Sequence, residues 1–138
     1  MIRYRLAKTT DMDVLKDIWE LTFGDPVEFI DFYFSNRFNP KNTYLLLKDE
    51  TIASMLTVIP VRLNTSRNSY PGAMFYAIAT HPRYQKQGFA TQLTKYANQE
   101  MMKAGKNFSA IVPATKGLFD FYLKQGYKEF FTINEQIF

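Results

Sequence analysis

The segment from Ala73 to Val112 constrains the fold more than any other part of the chain. It begins with a small, apolar stretch typical of a central strand at Ala73–Thr80, continues with a helical pattern from Gly88 to about Lys103, and ends with a short strand at Phe108–Val112. A strand, a helix and a strand in this order form a right-handed crossover, and its two strands run parallel as neighbours or near neighbours. We therefore expect a sheet with one parallel pairing at this point.

Strand and helix patterns alternate along the rest of the chain, in the order β-α-α-β-β-β-α-β-α-β. Thr10 and Asp25 are the expected N-caps of the first two helices, and a turn is expected at Asp49-Glu50. The other expected strands are Ile2–Leu6, Tyr44–Lys48, Ile52–Leu63 and Phe130–Ile137, and a last helix is expected at Lys116–Lys124. No repeat or linker divides the chain, so we expect a single α+β domain over residues 1–138, a three-layer α/β arrangement with a mixed central sheet and helices on both faces.

The composition excludes several classes of protein. The chain has 138 residues, no cysteine and a formal net charge of +4, so disulfides, thiolate metal sites and a thiol nucleophile are excluded. No apolar run approaches the roughly 20 residues of a membrane span, and the first residues alternate unlike a signal peptide. A cytoplasmic protein without a membrane partner is the resulting expectation.

The loop between Thr80 and Ala90 has the features of an anion site. The first N–H groups of a helix lack partners inside the helix, and the small residues Gly88 and Ala90 allow a phosphate to approach them. Three basic side chains surround the loop: Arg83, Lys86 and Lys95. A phosphate or pyrophosphate is the favoured ligand, although a glycine and basic residues at a helix start are also common without any ligand.

Two segments carry a resemblance to a known family. Gln85-x-x-Gly88-x-Ala90, with His81-Pro82 just upstream, resembles the acetyl-CoA pyrophosphate loop of the GNAT superfamily of N-acetyltransferases, whose pattern is Arg/Gln-x-x-Gly-x-Gly/Ala. The stretch from Phe119 to Tyr127 resembles the helix and Gly-aromatic segment that close the family's cofactor site. The nearest branch is similar to the enhanced-intracellular-survival-type acetyltransferases, through Phe23-Gly24-Asp25 and Gly117–Tyr127.

The resemblance implies a GNAT-like acyl-CoA N-acyltransferase fold and an acetyl-CoA-dependent N-acetyltransferase with no metal. The acetyl group would pass directly to a primary amine of a small molecule or a peptide, bound in a groove near residues 24–38 and 62–72. Main-chain groups of the strand before the loop would hold the pantetheine arm, amides of the loop would hold the pyrophosphate, and the start of the last helix would add contacts. In that order, the residues implied are Ile78, Ala79 and Thr80; Gln85, Lys86, Gln87, Gly88, Phe89 and Ala90; and Gly117 and Leu118.

The resemblance also assigns Tyr122 as the general acid that protonates the departing CoA thiolate. A phenol with a pKa near 10 is protonated at neutral pH, as this role requires. The helical spacing of Leu118, Phe121 and Tyr122 is equally that of an ordinary buried helix face. His81 is interpreted as a loop residue without a catalytic role.

Several alternatives stay open at this point. The general base is unassigned, although Asp25, Glu28 and Asp31 lie on the segment expected to border the acceptor groove. A catalytically silent CoA-binding or partner-binding module with the same fold is the second hypothesis. Nucleic acid is not an expected partner, because the aromatic residues cluster on helix faces and are not interleaved with basic ones.

The length of the chain differs from the family pattern. Only 11 residues follow Tyr127, enough for one strand where the family fold usually has two. Either the domain is minimal or truncated at its C-terminus, or a partner completes the sheet, in which case a homo-oligomer is expected because an unpaired edge favours self-association.

Overall fold

A computed structural model describes residues 1–112 and 116–128 of the chain. The elements are β1 (Ile2–Leu6), α1 (Met12–Phe23), α2 (Val27–Asn36), β2 (Thr43–Lys48), β3 (Thr51–Asn64), β4 (Ser69–Thr80), α3 (Phe89–Lys103), β5 (Ser109–Ile111) and α4 (Lys116–Lys124). The predicted order of elements is confirmed as far as α4. The strand predicted at Phe130–Ile137 lies outside the described residues.

The five strands form one mixed sheet in the order β1-β2-β3-β4-β5. The first three pairings are antiparallel, and β4 pairs with β5 in parallel, from Ala73 opposite Ser109 to Phe75 opposite Ile111. Helices α1 and α2 pack on one face of the sheet, and α3 packs on the other face. The predicted α+β class, the mixed sheet with helices on both faces and the parallel crossover are confirmed.

The central strands β2, β3 and β4 are joined by two hairpin connections, of two and four residues. Asp49 and Glu50 form the two-residue turn between β2 and β3, with φ of 48° and 68°, as a type I′ hairpin turn requires at both positions. Strand β4 begins at Ser69, earlier than the predicted Ala73, because its pairing with β3 extends to Ser69 opposite Asn64. This part of β4 is one arm of the β3–β4 hairpin. Gly72 within that arm lies against the ring of Phe108, where a Cβ atom would leave no room for the ring.

The two predicted N-caps are wrong. Thr10 lies inside a single 3-10 turn before α1, and it is the Asp11 carboxylate that accepts a hydrogen bond from the Lys8 N–H at 2.7 Å. The residue before α2 is Pro26, which has no capping side chain. Asp25 instead accepts a hydrogen bond from Trp19 Nε1 at 2.8 Å, because the buried indole N–H needs a partner.

Strand β4 contains one residue more than the facing part of β3. Met55 lies opposite Ala79 and Thr57 lies opposite Tyr76, so that two β4 residues face one β3 residue between these pairs. Ala77, inside this β-bulge, has a φ of 52°, in the left-handed region that L-residues rarely adopt. Among the described residues, the pairing of β4 with β5 stops at Phe75, one residue before the last regular β3 pair, Tyr76 opposite Thr57, at the bulge.

Asp11→Asn is expected to lower the free energy of unfolding by about 1–2 kcal/mol at pH 7, because Asp11 accepts charge-assisted hydrogen bonds from Arg5 at 2.8 and 3.1 Å. These bonds hold the pKa of Asp11 below its usual range. The stabilisation is therefore present above the unfolded-state pKa of about 4 and is lost as the pH falls through the folded-state value. Urea denaturation at pH 7 and pH 3 should show the difference from the wild type shrinking at low pH. Asp17→Asn, on the exposed side of α1, is the control, and an equal loss in both variants would contradict the role of the Arg5 contact.

Substitutions at Ala77 test the strain in the β-bulge. Ala77→Gly is expected to raise the free energy of unfolding by about 0.5–1 kcal/mol, because relief of the left-handed strain exceeds the entropy that glycine adds to the unfolded chain. Ala77→Val is expected to lower it by more than about 1 kcal/mol, since a β-branched residue tolerates a positive φ least. Chemical denaturation measures both variants, and a valine variant as stable as the wild type would show that the bulge is unstrained.

Candidate functional site

A cleft of about 590 Å³ opens where the pairing of β4 with β5 ends. Its size is that of a small-molecule site. One wall is β4, from residue 74 to residue 78, and the opposite walls come from α1, β5 and α4. Its lining includes the side chains of Trp19, Asp25, Tyr76, Leu118 and Tyr122. Within the described ranges, none of the residues pairs with the β5-facing side of β4 beyond Phe75, so main-chain groups of a strand are left open to a ligand at this edge.

The three predicted residues of this strand differ in their environment. Ile78 lines the cleft, whereas Ala79 is buried in the core under α1 and α2. The carbonyl of Ala79 accepts a hydrogen bond from Ser54 Oγ at 3.0 Å, and the carbonyl of Thr80 accepts one from Gln85 Nε2 at 3.1 Å. Tyr76 and Ala77 also line the cleft. Neither residue was predicted from the sequence, since nothing in the Ala77-Ile78-Ala79 stretch indicates a bulge.

The predicted anion loop presents a row of unpaired main-chain donors. The N–H groups of Lys86, Gln87 and Gly88 make no hydrogen bond to any of the described residues. Lys86 and Gly88 have φ of 64° and 79°, and left-handed residues alternating with others arrange such N–H groups around a concave anion site. Helix α3 begins at Phe89, so the N–H groups of Phe89 and Ala90 also lack helical partners.

Positive charge surrounds this loop. Arg83, Lys86 and Lys95 are exposed, and none of them forms an ion pair with the part of the chain that the structure describes. Lys48 is a further cation, which reaches Gln87 Oε1 at 3.3 Å and lies 5.9 Å above the ring of Phe89. Lys48 belongs to β2, and only the register of the sheet brings it here, so no local pattern could have identified it.

His81 has a local structural contact. Its Nδ1 accepts a hydrogen bond from the Arg83 N–H at 3.0 Å and caps the single helical turn at Pro82–Tyr84. This contact agrees with the interpretation of His81 as a loop residue.

Tyr122 projects from α4 into the cleft wall and is 8% exposed. Burial raises the pKa of its hydroxyl above the usual range, and the nearby Tyr127 adds to the effect. The hydroxyl makes no hydrogen bond within residues 1–112 and 116–128. The neighbours at helical spacing, Leu118 and Phe121, are 42% and 38% exposed, so in the described structure Tyr122 alone of the three is buried.

The position of Tyr122 depends on a hydrogen-bond network at the end of α4. Ser109 Oγ donates to Asn98 Oδ1 at 2.7 Å, and Asn98 Nδ2 donates to the Tyr127 hydroxyl at 3.2 Å. The Tyr127 hydroxyl lies 2.8 Å from Ser109 Oγ, and the main-chain N–H of Tyr127 donates to the Tyr122 carbonyl. The network ties α3, β5 and α4 together. Nothing in the sequence pattern indicated Asn98 or Ser109.

The three carboxylates considered as bases have different surroundings. Asp25 lines the cleft and is oriented by the Trp19 indole. Asp31 is paired with Lys16 at 3.3 Å, and Glu28 is exposed in the first turn of α2. Asp25 is therefore the one that the structure places beside the other cleft residues.

The described residues contain neither a candidate membrane span nor a candidate metal site. None of the helices between residues 1 and 128 that the structure describes is both long and apolar enough to cross a membrane. Across the same two ranges, no three His, Asp or Glu side chains are grouped so that they could hold a metal ion.

Solved structures with this fold are known. A transcriptional regulator from Bacillus halodurans matches with a TM-score of 0.78 at 18% identity, over all of both chains. A predicted acetyltransferase with acetyl-CoA from Clostridium acetobutylicum matches with a TM-score of 0.77 at 18% identity, over 99% of this chain and 96% of that one. A GCN5-related N-acetyltransferase from Anabaena variabilis matches with a TM-score of 0.77 at 22% identity, over 87% of this chain but 31% of its own.

The sequence itself gives the family. No curated protein matches it in a direct sequence search. The family model described as the acetyltransferase (GNAT) domain, however, matches residues 3–130, nearly the whole chain. Together with the mixed sheet and its cleft, this match shows that the chain belongs to the GNAT family of N-acetyltransferases.

Proposed function

We propose that the chain transfers an acetyl group from acetyl-CoA directly to a primary amine of a small molecule or a peptide. The observation that carries the proposal is the cleft between the bulged strand β4 and α4, which has an open main-chain edge on one side and the Tyr122 side chain on the other. Transfer is direct because this chain has no cysteine that could hold the acyl group as a thioester.

The loop before α3 would bind the pyrophosphate of acetyl-CoA. Free N–H groups at Lys86, Gln87 and Gly88 and the first N–H groups of α3 supply hydrogen-bond donors without side-chain chemistry. Arg83 and Lys48 add positive charge beside them. Main-chain groups around Ile78 would pair with the pantetheine arm along the open edge of β4, and Gly117 and Leu118 would contact it from α4.

Acetyl-CoA supplies an activated thioester. A bond forms between the amine nitrogen and the acetyl carbon, the carbon–sulfur bond breaks, and the nitrogen releases a proton to solvent. The Tyr122 hydroxyl donates its proton to the sulfur and is reprotonated from solvent. Because burial raises the pKa of Tyr122, the hydroxyl keeps this proton through neutral and mildly alkaline pH.

Gly88→Ala and Gly105→Ala form a matched pair that tests the loop. Both glycines have a left-handed φ, 79° and 81°, and open space around an added Cβ, so both variants are expected to lose about 1 kcal/mol of stability. Only Gly88→Ala places the strain and the methyl group in the anion loop, and it is expected to weaken acetyl-CoA binding about tenfold or more in isothermal titration calorimetry. Wild-type protein that does not bind acetyl-CoA at high micromolar concentration would refute the proposed function.

Tyr122→Phe is expected to lower kcat by about 10²–10³-fold while leaving the affinity for acetyl-CoA nearly unchanged, because it removes only the proton that the thiolate receives. The pKa of Tyr122 is raised from its usual value of about 10, so the hydroxyl stays protonated below about pH 10. Deprotonation of Tyr122 should therefore not lower the wild-type kcat in that range. Tyr96→Phe, on α3, is the control. Steady-state rates with a panel of amines measure both variants. Unchanged turnover in Tyr122→Phe would remove the acid role, and binding without turnover in the wild type would favour the silent binding module.

A further inference from the structure

A second groove, of about 530 Å³, lies on the far side of Tyr76 from the cleft. Its walls are α2 and the middle of β3, and its floor is mainly apolar. Phe29 and Phe32, from the first two turns of α2, are 44% and 54% exposed, and Pro60 lies among the β3 residues that face them. Large side chains left open to solvent in a concave surface of this size are typical of a ligand site.

Among the described residues that line the groove, Arg37 carries the one charged side chain. Arg37 follows the last residue of α2, and its N–H donates to the Tyr33 carbonyl at 2.7 Å, which fixes the backbone there. Its guanidinium makes no ion pair or hydrogen bond with any residue that the structure describes. A guanidinium beside an apolar wall is well suited to a planar carboxylate.

The polar neighbours of Arg37 also favour an oxyanion. Asn39 and Asn42 line the same groove. The side-chain oxygen of Asn39 already accepts a hydrogen bond from the Lys41 N–H at 3.0 Å, so its amide hydrogens are the groups left for a ligand. No acidic side chain of the described part of the chain lines the groove, so the surroundings of Arg37 there are electropositive.

The groove and the cleft meet at Tyr76, which lines both. The ring of Tyr76 lies 6.0 Å from that of Trp19 and 6.4 Å from that of Tyr33, so it is held between α1 and α2. Tyr76 directly precedes Ala77 in the β-bulge. A molecule seated in the groove would therefore reach around one side chain to the open edge of β4.

We propose that the groove binds the body of the acceptor, and that the acceptor is an amine with an aromatic or similarly bulky apolar body and a carboxylate. This rests on the proposed function, because the amine is taken to reach the cleft. The apolar body packs on Phe29 and Phe32, the carboxylate binds Arg37, and the amine passes Tyr76 toward the bulge. The arrangement selects against polyamines, which would bring cations to Arg37.

Binding of a probe without an amine tests the groove separately from catalysis. The probe is 3-phenylpropionate, with 3-phenylpropanol as its uncharged counterpart, measured by equilibrium dialysis. The wild type is expected to prefer the carboxylate, and Arg37→Gln is expected to weaken its binding about tenfold while changing that of the alcohol little. Phe32→Ala should weaken binding of both. The control is Arg3→Gln, which removes an exposed guanidinium of the edge strand β1 that is paired with Glu50. It should change the binding of neither the carboxylate nor the alcohol.

Three results would overturn the proposal: no detectable binding of the carboxylate, equal binding by the wild type and Arg37→Gln, or displacement of the probe by acetyl-CoA, which would place it in the cleft. Unfolding curves establish that Arg37→Gln is folded. In a second experiment, phenylalanine and phenylalaninamide are compared as acceptors. The KM for phenylalanine is expected to be about tenfold lower than that for phenylalaninamide, and to rise in Arg37→Gln with little change in kcat. A preference for the amide would overturn the proposal.

The two experiments separate the possible failures. If the probe binds through Arg37 but no amine is acetylated, the proposed function fails and the groove stands as an aromatic carboxylate site. If amines are acetylated but neither the carboxylate nor Arg37 matters, the substrate class fails and the acetyltransferase activity stands.

Discussion

The extra residue in β4 is the constraint on which the site depends. A regular strand can pair with its parallel neighbour along its whole length, which leaves no gap between the two strands. With Ala77 in a left-handed conformation, the register against β3 shifts, and among the described residues the pairing of β4 with β5 runs from Ala73 to Phe75. Beyond Phe75, the main chain of β4 borders the cleft and pairs with none of the described residues on the β5 side. The bulge therefore leaves main-chain hydrogen-bonding groups of β4 beside the cleft.

The aromatic cluster around Trp19 connects this constraint to the helices. Trp19 is 1% exposed and has ring contacts with Tyr33 and Phe34 of α2 and with Tyr76 of β4. Its indole N–H also holds Asp25 at the start of α2. A single buried side chain thus sets the spacing of α1, α2 and β4. The cleft and the groove are both built on this part of the core.

The fold could largely be predicted from the sequence, because its elements are marked by strong local signals. Each of three signals predicts a single structure: the alternation at Ile2–Leu6, the turn at Asp49-Glu50 and the strand–helix–strand order around α3. The structure confirms all three. The resemblance to the GNAT family came from the loop at Gln85–Ala90, whose small residues and position before a helix follow from the chemistry of anion binding.

The finer parts of the site could not be predicted, because they depend on contacts between distant segments. Asp25 was predicted as an N-cap, but its carboxylate accepts a hydrogen bond from the buried indole of Trp19, and only the packing of that ring in the core sets this contact. The bulge occurs at an alanine, which carries no local signal for a positive φ. Lys48 and the Asn98–Ser109–Tyr127 network come together only through the register of the sheet and the docking of α4.

The short pairing of β4 with β5 has a consequence for the dynamics of the domain. Within the described structure, three residue pairs attach β5 to β4, and the Asn98–Ser109–Tyr127 hydrogen bonds attach β5 and the end of α4 to α3. The antiparallel strands are paired along most of their length. We therefore expect the free energy of local opening of the described residues to be lowest at β5 and α4, so that their amide hydrogens exchange first. A ligand that contacts both β4 and α4 would add contacts between them, so that occupancy and order on this side of the domain would rise together.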